Sequence, residues 1–297
     1  MNTLVTGGAG FIGSNLVERL IKDGHRVTVI DNLSTGKRGN LHKDAEFFEL
    51  DIAELDAIKP VFEKKDVVFH IAAIPRIMRS IEDPAFVFRS NVTGTLNVLL
   101  AARDAGVKRV VYSASSSAYG PQNILPLCED MPSKPLNPYA LTKYIGEELC
   151  REFTNLYGLD TVSLRYFNVY GPRMDVEGDY ATVIGKFLRL KDERKPLTII
   201  GDGKQTRDFT NVRDVAEANI LASQIENGGG EVINIGAGSN HSVQEIADII
   251  GGKHAYVPER PGEVRDTLAD IGKAKRILGW EPKVSLKDGI SQLMNNV

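Results

Sequence analysis

The stretch MNTLVTGGAGFIG, residues 1–13, predicts how this chain folds. A short apolar run is followed by three evenly spaced glycines, Gly7, Gly10 and Gly13, and then by residues 14–23, whose apolar side chains recur with a helical period. Strand, glycine turn and helix in this order are the setting of a dinucleotide-binding fingerprint. Glycine there allows a positive φ, a close backbone approach to a pyrophosphate and tight helix packing, and the helix N-terminus attracts phosphates.

The second predicted strand, HRVTVI at residues 25–30, ends at Asp31. This acid follows the last glycine by about the 20 residues expected for the carboxylate that binds the adenosine ribose. Because a carboxylate disfavours a ribose 2′-phosphate, the sequence predicts NAD rather than NADP. Two alternatives stay open: Lys37 and Arg38 could serve the extra phosphate of NADP, and a glycine-rich turn can also bind nothing.

Composition limits the classes of protein to which the chain can belong. Its 297 residues, 42% of them hydrophobic, suffice for one large or two modest domains, and its net charge of −3 offers no electrostatic basis for binding nucleic acid or anionic membranes. No apolar run approaches the ~20 residues of a membrane span, and the first strand begins too early for a signal peptide. The two cysteines, Cys128 and Cys150, have no metal-binding spacing, so we expect free thiols, a cytoplasmic location and no metal site.

Up to about residue 165 the chain alternates between strand and helix patterns. This predicts the α/β class, with a Rossmann-type doubly wound parallel sheet covered by helices on both faces. The predicted strands, mostly apolar as buried parallel strands are, lie at residues 3–6, 27–30, 46–50, 67–70, 109–113 and 161–166. The predicted helices lie between them, at residues 12–23, 54–63, 84–105 and 138–157.

Beyond residue 165 the pattern changes, and we predict a smaller mixed α/β C-terminal substrate domain. The further predicted elements are strands at residues 197–200 and 231–235 and a helix at residues 242–250. The predicted domains are a cofactor-binding domain at residues 1–165, with returning segments near 166–172 and 208–236, and a substrate domain mainly at residues 173–297.

Ligands of parallel sheets bind beyond the carboxyl ends of the strands, so the residues that follow each strand are informative. Asp51 follows the third strand, where its carboxylate could reach the adenine amine or end a turn. Ala72 and Ala73 lie beyond the fourth strand, where small side chains let the backbone lie against a cofactor. His70, which ends that strand, is expected to pack rather than to catalyse.

A serine cluster, SASSS at residues 113–117, follows the fifth strand, and NPYALTK follows at residues 137–143. Asn137 suits a helix N-cap, so Tyr139 and Lys143 are predicted to lie one turn apart on the same helix face. Tyrosine is a weak base at pH 7, but a nearby ammonium group favours its phenolate, and a serine hydroxyl can bind the substrate oxygen or relay its proton. These groups together suit the deprotonation of an alcohol while a hydride leaves its carbon.

These motifs together resemble the extended short-chain dehydrogenase/reductase family and, within it, the NAD-dependent UDP-hexose and UDP-N-acetylglucosamine 4-epimerases. The resemblance covers essentially the whole chain. The motifs that carry it are TGGAGFIGSNL (6–16), DNLSTGKRGN (31–40), PRIMRSIEDP (75–84), SASSSAYG (113–120), NPYALTK (137–143), RYFNVYGPR (165–173), GDYATVIGKF (178–187), GDGKQTRDF (201–209) and RPGEVRDTLAD (260–270).

The resemblance implies Tyr139 as the catalytic base and acid, and Lys143 as the residue that holds the nicotinamide ribose and lowers the pKa of Tyr139. It implies Ser115 as the serine partner, with Ser116 and Ser117 near enough in sequence to share that role. The residues that it places around NAD are Gly7, Gly10, Phe11, Ile12, Gly13, Asp31, Asn32, Asp51, Ile52, Ala72, Ala73, Asn91, Ser113, Tyr139, Lys143 and Tyr166. Asn91 could equally be a polar residue of the long helix predicted at residues 84–105.

For the substrate, the resemblance implies that Arg207 and Arg260 bind the diphosphate, whose charge suits guanidinium groups. The residues implied to contact the substrate are Arg79, Ser115, Ser116, Tyr139, Asn168, Val183, Arg207, Arg260, Glu263 and Thr267, with Ser80 as a further candidate. In galactose-type epimerases a bulky tyrosine can occupy the position of Thr267, so the small Thr267 implies room for an N-acetyl group. UDP-GlcNAc and UDP-GalNAc are therefore expected, together with UDP-Glc and UDP-Gal, because lost apolar contacts reject a smaller substrate only weakly.

The implied reaction is a reversible C4 epimerisation through a 4-keto sugar, with transient hydride transfer to tightly bound NAD. The alternatives are a UDP-glucuronate 4-epimerase or decarboxylase, in which Arg76 or Arg79 would bind the sugar carboxylate, and a non-catalytic dinucleotide sensor. A 4,6-dehydratase is disfavoured, because serines occupy residues 115–117 where that family has an Asp-Glu pair. The family also implies a homodimer formed through helices near residues 84–105 and 138–157.

Overall fold

The computed structural model of the protein describes residues 1–176, 182–258 and 264–295. Its strands are β1 (Asn2–Thr6), β2 (Arg26–Ile30), β3 (Glu46–Phe48), β4 (Val67–His70), β5 (Arg109–Ser115), β6 (Asp160–Tyr166), β7 (Leu197–Ile200), β8 (Thr206–Asp208), β9 (Glu231–Ile235), β10 (Asn240–Ser242) and β11 (His254–Val257). Its helices are α1 (Phe11–Lys22), α2 (Leu55–Ile58), α3 (Ile77–Glu82), α4 (Pro84–Phe88), α5 (Gly94–Asp104), α6 (Pro138–Tyr157), α7 (Val183–Asp192), α8 (Val212–Gln224), α9 (Val243–Ile250), α10 (Gly272–Leu278) and α11 (Leu286–Asn295).

Seven strands form a parallel sheet in the order β3-β2-β1-β4-β5-β6-β9. Its central strands are buried because helices cover both faces: α1, α8 and α10 pack on one face, and α2, α5 and α6 pack on the other. The strand order reverses its direction of growth between β1 and β4. At such a switch point the loops on either side diverge and leave a crevice at the carboxyl ends of the strands.

The C-terminal part has its own apolar core, to which α7, α9 and α11 contribute Phe187, Ile246 and Ile290. Two small sheets belong to this part, an antiparallel pair of β10 with β8 and a parallel pair of β11 with β7. The segment that contains α8 and β9 returns to the large sheet, so the chain passes between the large sheet and the C-terminal part more than once. The division of the chain into two domains stays a prediction.

The predicted fold class is confirmed, and most predicted strands differ from the observed ones by one or two residues. The α6 prediction is correct at both ends, because Asn137 caps the N-terminus by accepting a bond from the Ala140 N–H at 2.9 Å and Gly158 ends the helix with a φ of +70°. The third strand is shorter than predicted and stops at Phe48, and the fifth continues to Ser115.

The single helix predicted at residues 84–105 is wrong in one respect. A π-helical turn, Arg89–Thr93, separates α4 from α5, and the buried Asn91 lies in this turn. The helix predicted at residues 54–63 is also two elements in the structure, α2 and a 3₁₀ turn, Lys59–Phe62, because Pro60 has no N–H for an α-helical bond. In the part of the chain that the structure describes, no helix has the length and apolar character to cross a membrane.

Candidate active site

A cavity of about 860 Å³ lies at the carboxyl ends of β1, β4, β5 and β6, and α7, β7 and β8 close its other side. This is the switch-point crevice of the large sheet. The predicted site residues that line it are Gly7, Gly10, Phe11, Ile12, Gly13, Asp31, Asn32, Ile52, Ala72, Ala73, Ser113, Ser115, Ser116, Tyr139, Lys143, Tyr166, Asn168, Val183, Arg207 and Thr267. Groups from distant parts of the sequence therefore meet in one space.

The glycine turn after β1 requires glycine at two positions. Gly7 has a φ of +75°, and a Cβ there would lie 2.7 Å from the backbone of Ala72. A Cβ on Gly13 would lie 2.1 Å from the carbonyl oxygen of Gly7, so α1 packs directly on the turn. No side chain caps α1 at Gly10, and its first turn contains no acidic residue. The N–H groups and the partial positive charge of this helix end suit a pyrophosphate.

Asp31 presents a carboxylate at the end of β2 that the fold holds in place. One oxygen accepts the Leu33 N–H at 2.8 Å, and the other accepts the Ala9 N–H at 3.0 Å. Burial raises the pKa of the carboxyl group, although these two hydrogen bonds oppose the rise. Each oxygen keeps a further lone pair, so the carboxylate can also accept the two hydroxyls of a ribose. The loop after β2 closes over the Asp31 side chain, since a Cβ on Gly36 would lie 2.9 Å from Asp31.

Ser115 and Tyr139 meet at the base of the cavity. Ser115 Oγ accepts hydrogen bonds from the Ser117 N–H at 3.2 Å and from Ser117 Oγ at 2.9 Å. Its own proton therefore stays available for Tyr139 or for a substrate oxygen. The Tyr139 side chain keeps partial exposure, yet desolvation of its phenol raises its pKa, and a hydrogen bond with the Ser115 side chain opposes that rise.

Lys143 lies one helical turn below Tyr139, as predicted, and is only 3% exposed. Its Nζ donates a hydrogen bond to the Ser113 carbonyl oxygen at 2.6 Å and lies 5.1 Å from the centre of the Tyr112 ring. Burial lowers the pKa of Lys143 to about 7, while the nearby carboxylate of Glu147 raises it. A group that titrates near neutral pH can change its charge with its surroundings.

The opposite wall of the cavity comes from the C-terminal part. Asn168 has an unusual φ of +29°, and its side-chain amide donates to the Asp208 carbonyl oxygen at 3.0 Å and to Thr267 Oγ1 at 3.4 Å. Thr267 is half-buried and also accepts the Asp208 N–H at 3.3 Å. Arg207 donates to the carbonyl oxygens of Thr206 and Arg265, at 2.9 and 2.7 Å, which directs its guanidinium group along the cavity rim.

The model of the NAD dependent epimerase/dehydratase family matches residues 3–236, which is well over half of the chain. The chain belongs to that family. It is 41% identical over 305 residues to a UDP-glucose 4-epimerase from Mycolicibacterium smegmatis, and the match covers 98% of this chain and 97% of that protein.

Two solved structures of family members are similar to this one over nearly the full length. A UDP-glucose 4-epimerase with UDP-glucose from Thermotoga maritima has a TM-score of 0.96 at 38% identity, with 99% of this chain and 98% of that chain covered. A UDP-N-acetylglucosamine 4-epimerase from Methanobrevibacter ruminantium, in complex with UDP-N-acetylmuramic acid, has a TM-score of 0.93 at 35% identity and covers 100% of this chain and 99% of that chain. Both the fold and the predicted family are therefore confirmed.

Asp51 and Arg79, two predicted contacts, do not line the cavity. Asp51 ends a turn by accepting the Ala53 N–H at 2.9 Å, and its other oxygen accepts a bond from Arg89 at 2.9 Å. Arg79 lies outside the cavity, where it pairs with Asp83 at 3.4 Å. These pairs link Asp51 to the π-helical turn and Arg79 to the residue that caps α4.

Asn91 and Ser80 are buried behind the cavity wall rather than exposed to its interior. The Asn91 side chain accepts the Ile74 N–H at 2.8 Å and donates to Thr142 Oγ1 at 3.0 Å. Ser80 Oγ accepts the backbone N–H of Tyr139 at 3.1 Å. These residues organise backbone that does reach the cavity.

The expectation that His70 packs is confirmed. Its ring bonds Thr6 Oγ1 at 2.7 Å and Thr95 Oγ1 at 2.9 Å, and burial lowers its pKa to about 3, so the ring is neutral. Two predicted substrate contacts, Arg260 and Glu263, lie outside the described residues. The described residues contain no cluster of three or more His, Cys, Asp or Glu side chains that could hold a metal ion.

The sequence reasoning named Val183 and Arg76, but it missed the helix α7 that carries Val183 and the ion pair that Arg76 forms with Asp175. Lys186 and Phe187 of α7 line the cavity, and Arg76 and Asp175 join the two sides of it. The apolar residues of α7 recur with a helical period, which could have predicted the helix. The ion pair joins residues 99 positions apart, and no local pattern marks it.

Proposed function

We propose that this protein is an isomerase, a UDP-hexose 4-epimerase that uses NAD and accepts UDP-GlcNAc and UDP-GalNAc as well as UDP-Glc and UDP-Gal. The observation that carries this proposal is the convergence of Ser115, Tyr139 and Lys143 on the same cavity as the glycine turn and Asp31. Groups that suit alcohol oxidation and groups that suit a dinucleotide share one space. The relatives named above, which include enzymes of UDP-glucose and UDP-N-acetylglucosamine, support the same reaction.

NAD suits the residues that surround the cavity. The N-terminus of α1 offers N–H groups to the pyrophosphate, Asp31 offers lone pairs to the adenosine ribose, and Lys143 lies where it can hold the nicotinamide ribose. When bound, NAD supplies the acceptor for a hydride from C4 of the sugar and returns that hydride to the opposite face.

The chain's own residues move the proton and hold the sugar. Tyr139 removes the proton from the C4 hydroxyl, and Ser115 binds the same oxygen through the proton that its bonds to Ser117 leave available. A positive charge on Lys143, which Glu147 favours from one turn further along α6, stabilises the phenolate. After the 4-keto sugar has turned over, Tyr139 returns the proton to the oxygen.

The turnover of the sugar requires a roomy cavity and a firm hold on the nucleotide. The cavity volume of about 860 Å³ supplies the room. Arg207 and Arg260 bind the diphosphate, Asn168 contacts the phosphate or the sugar, and Glu263 holds the uridine ribose. The side chain of Thr267, which is small and is directed towards Asn168, leaves space beside the sugar for an N-acetyl group.

UDP-glucuronate chemistry would need a cation for the sugar carboxylate, and the two arginines considered for it are engaged elsewhere. Arg76 forms an ion pair with Asp175, and Arg79 pairs with Asp83. Their charges are therefore compensated, which favours a neutral sugar. The complete Ser115, Tyr139 and Lys143 set likewise disfavours a role as a non-catalytic dinucleotide sensor.

The protein acts as a cytoplasmic homodimer in this proposal. Its cysteines, Cys128 and Cys150, are unpaired thiols, which suits a reducing compartment. The dimer forms through the helices near residues 84–105 and 138–157, and Leu141 and Leu156 of the second of these, α6, are exposed and suit such an interface. Light scattering of the purified protein, with twice the monomer mass expected, tests the assembly.

Proton NMR of products tests the activity. The purified protein is incubated with UDP-GlcNAc or UDP-Glc, without added NAD, beside a Tyr139→Phe variant as the control. Formation of UDP-GalNAc is expected from the wild-type protein, and would support the reaction, the bound NAD and the room at Thr267 together. Conversion of UDP-Glc alone would refute the N-acetyl assignment, and no conversion of either sugar, even with NAD supplied, would refute the 4-epimerase proposal.

A further inference from the structure

Tyr139 is held by its backbone as well as by its side chain. Because α6 begins at Pro138, the N–H of Tyr139 belongs to the first turn and has no partner within the helix. It donates to Ser80 Oγ at 3.1 Å, and Ser80 lies 59 residues earlier in the sequence, in α3. The N-terminus of α6 is therefore capped twice, by its own Asn137 and by a serine from a different helix.

Ser80 is completely buried and does not line the cavity. Its hydroxyl donates to the Ile77 carbonyl oxygen at 2.6 Å, which directs an oxygen lone pair towards Tyr139. The Ser80 side chain therefore cannot contact a substrate. Its position lets it act on the first turn of α6.

The carbonyl group of Tyr139 has an anchor of its own. Thr142 Oγ1 donates to this oxygen at 2.8 Å and accepts from the Asn91 amide at 3.0 Å. Asn91 lies in the π-helical turn and also binds the backbone of Ile74, in the segment that lines the cavity. Both backbone groups of Tyr139 are thus tied to elements that border the cavity.

We propose that Ser80 is a positioning residue, which holds the first turn of α6 so that the Tyr139 phenol meets Ser115. Lys143 lies one turn deeper and has its own anchor on the Ser113 carbonyl oxygen, so loss of the Ser80 hydroxyl displaces Tyr139 and leaves Lys143 in place. This inference rests on the proposed function for its kinetic consequences. Its structural consequence, a changed environment for the Tyr139 phenol, does not depend on any substrate.

The Ser80→Ala variant tests the proposal, and Ser223→Ala is its matched control. Both serines are buried in helices, and both donate their hydroxyl to the carbonyl oxygen three residues earlier, at 2.6 and 2.7 Å. Ser223 lies in α8, away from the cavity. Both substitutions thus remove one similar hydrogen bond, but only Ser80→Ala also removes the acceptor of the Tyr139 N–H.

We expect Ser80→Ala to lower kcat roughly tenfold, because a small misplacement of a reacting group is costly, while KM and the content of bound NAD stay unchanged. The acidic limb of the kcat profile, on which kcat rises as the Tyr139 phenol ionises to the active base, moves to higher pH, because the displaced phenol loses the hydrogen bond with Ser115 that lowers its pKa. Ser223→Ala should match the wild-type protein in all of these. Equal kcat and pH profiles for the two variants would overturn the proposal, as would a change confined to KM.

An absorbance titration of the phenols gives a readout without substrate. The difference between each protein and its own Tyr139→Phe counterpart isolates the titration of Tyr139, which we expect at higher pH in Ser80→Ala than in the wild-type protein or in Ser223→Ala. An inactive wild-type protein would refute the proposed function. If Tyr139 titrates at the same pH in Ser80→Ala as in the wild-type protein, the Ser80 proposal alone is refuted. Ser80→Cys, in which a weakly accepting sulfur replaces the oxygen, should give an intermediate shift, and it serves as the test if Ser80→Ala does not fold.

Discussion

A Cβ on Gly146 would lie 2.1 Å from the hydroxyl oxygen of Tyr112. Tyr112 is fully buried in β5, and the ammonium group of Lys143 lies over its ring. The absence of a side chain at Gly146 therefore lets α6 approach the sheet closely enough for Lys143 to reach the Ser113 carbonyl oxygen. A close helix–strand contact and the position of a site residue depend on the same glycine.

The Gly146→Ala substitution is expected to impair both stability and activity. The added methyl overpacks the contact with Tyr112, and we expect a loss of about 1–2 kcal/mol in the free energy of unfolding, since overpacking outweighs the helix propensity gained from alanine. Displacement of Lys143 should also lower kcat. Urea unfolding and steady-state kinetics measure the two effects. Gly39→Ala is the control, because a Cβ at Gly39 meets no neighbouring atom, and equal behaviour of the two variants would contradict the packing argument.

The Tyr139→Phe substitution should remove the proton-transfer group and leave the cavity unchanged in shape. We expect kcat to fall about 10²- to 10⁴-fold, the usual contribution of a general acid or base, with little effect on the binding of a UDP-sugar measured by calorimetry. Tyr157→Phe is the matched control, since Tyr157 is exposed at the far end of α6. A Tyr139→Phe enzyme with near-normal kcat would assign the proton transfer to another group.

The buried Lys143 should make stability depend on pH. Burial lowers its pKa from 10.5 to about 7, so between these values the unfolded chain binds more protons than the folded one and stability rises with pH. Above about pH 9 the buried Cys150 thiol, whose pKa is raised to about 12, opposes the trend, because only the unfolded thiol then ionises. We expect roughly 2 kcal/mol more stability at pH 9 than at pH 7 in urea unfolding. Lys143→Met should abolish this rise, and an equal rise in the variant would assign it to other groups.

The placements that could be predicted concern residues whose position follows from a local pattern. The glycine turn, Asp31 and the Tyr139–Lys143 pair each lie directly after a strand or within one helical turn, and parallel strands bring their carboxyl ends together whatever the details of packing. Their convergence on one cavity therefore followed from the alternation of strands and helices.

What could not be predicted depends on contacts between distant elements. The bond that Asp51 accepts from Arg89, at the start of the π-helical turn, is such a contact, and its predicted contact with the cofactor stays a prediction. Ser80 was expected near the substrate, but the packing of α3 against α6 directs its hydroxyl to a backbone N–H. Such choices between a ligand and a protein partner are made by tertiary packing, which a short sequence motif does not encode.

Asp31→Asn should weaken the binding of NAD. The amide keeps the size of the side chain but turns an N–H group towards the Ala9 or Leu33 N–H and loses the charge that binds the ribose. Because hydrogen bonds to charged groups contribute about 1.5–3 kcal/mol, we expect affinity to fall about 10- to 100-fold. Acid release and chromatography of the retained cofactor measure the effect. The exposed Asp56→Asn is the control, and full NAD content in Asp31→Asn would place the ribose elsewhere.

Thr267→Tyr should separate the two sugar classes. A tyrosine ring beside Asn168 would fill the space assigned to the N-acetyl group. Activity towards UDP-GlcNAc should therefore be lost, because overpacking excludes the larger sugar and leaves the smaller one room. We expect the ratio of kcat/KM for UDP-GlcNAc over UDP-Glc to fall at least about tenfold. Thr267→Ser, which keeps the hydroxyl that bonds Asn168 and the Asp208 N–H, should leave the ratio unchanged. A parallel loss for both sugars in Thr267→Tyr would show that this wall supports the cavity as a whole and does not select the sugar.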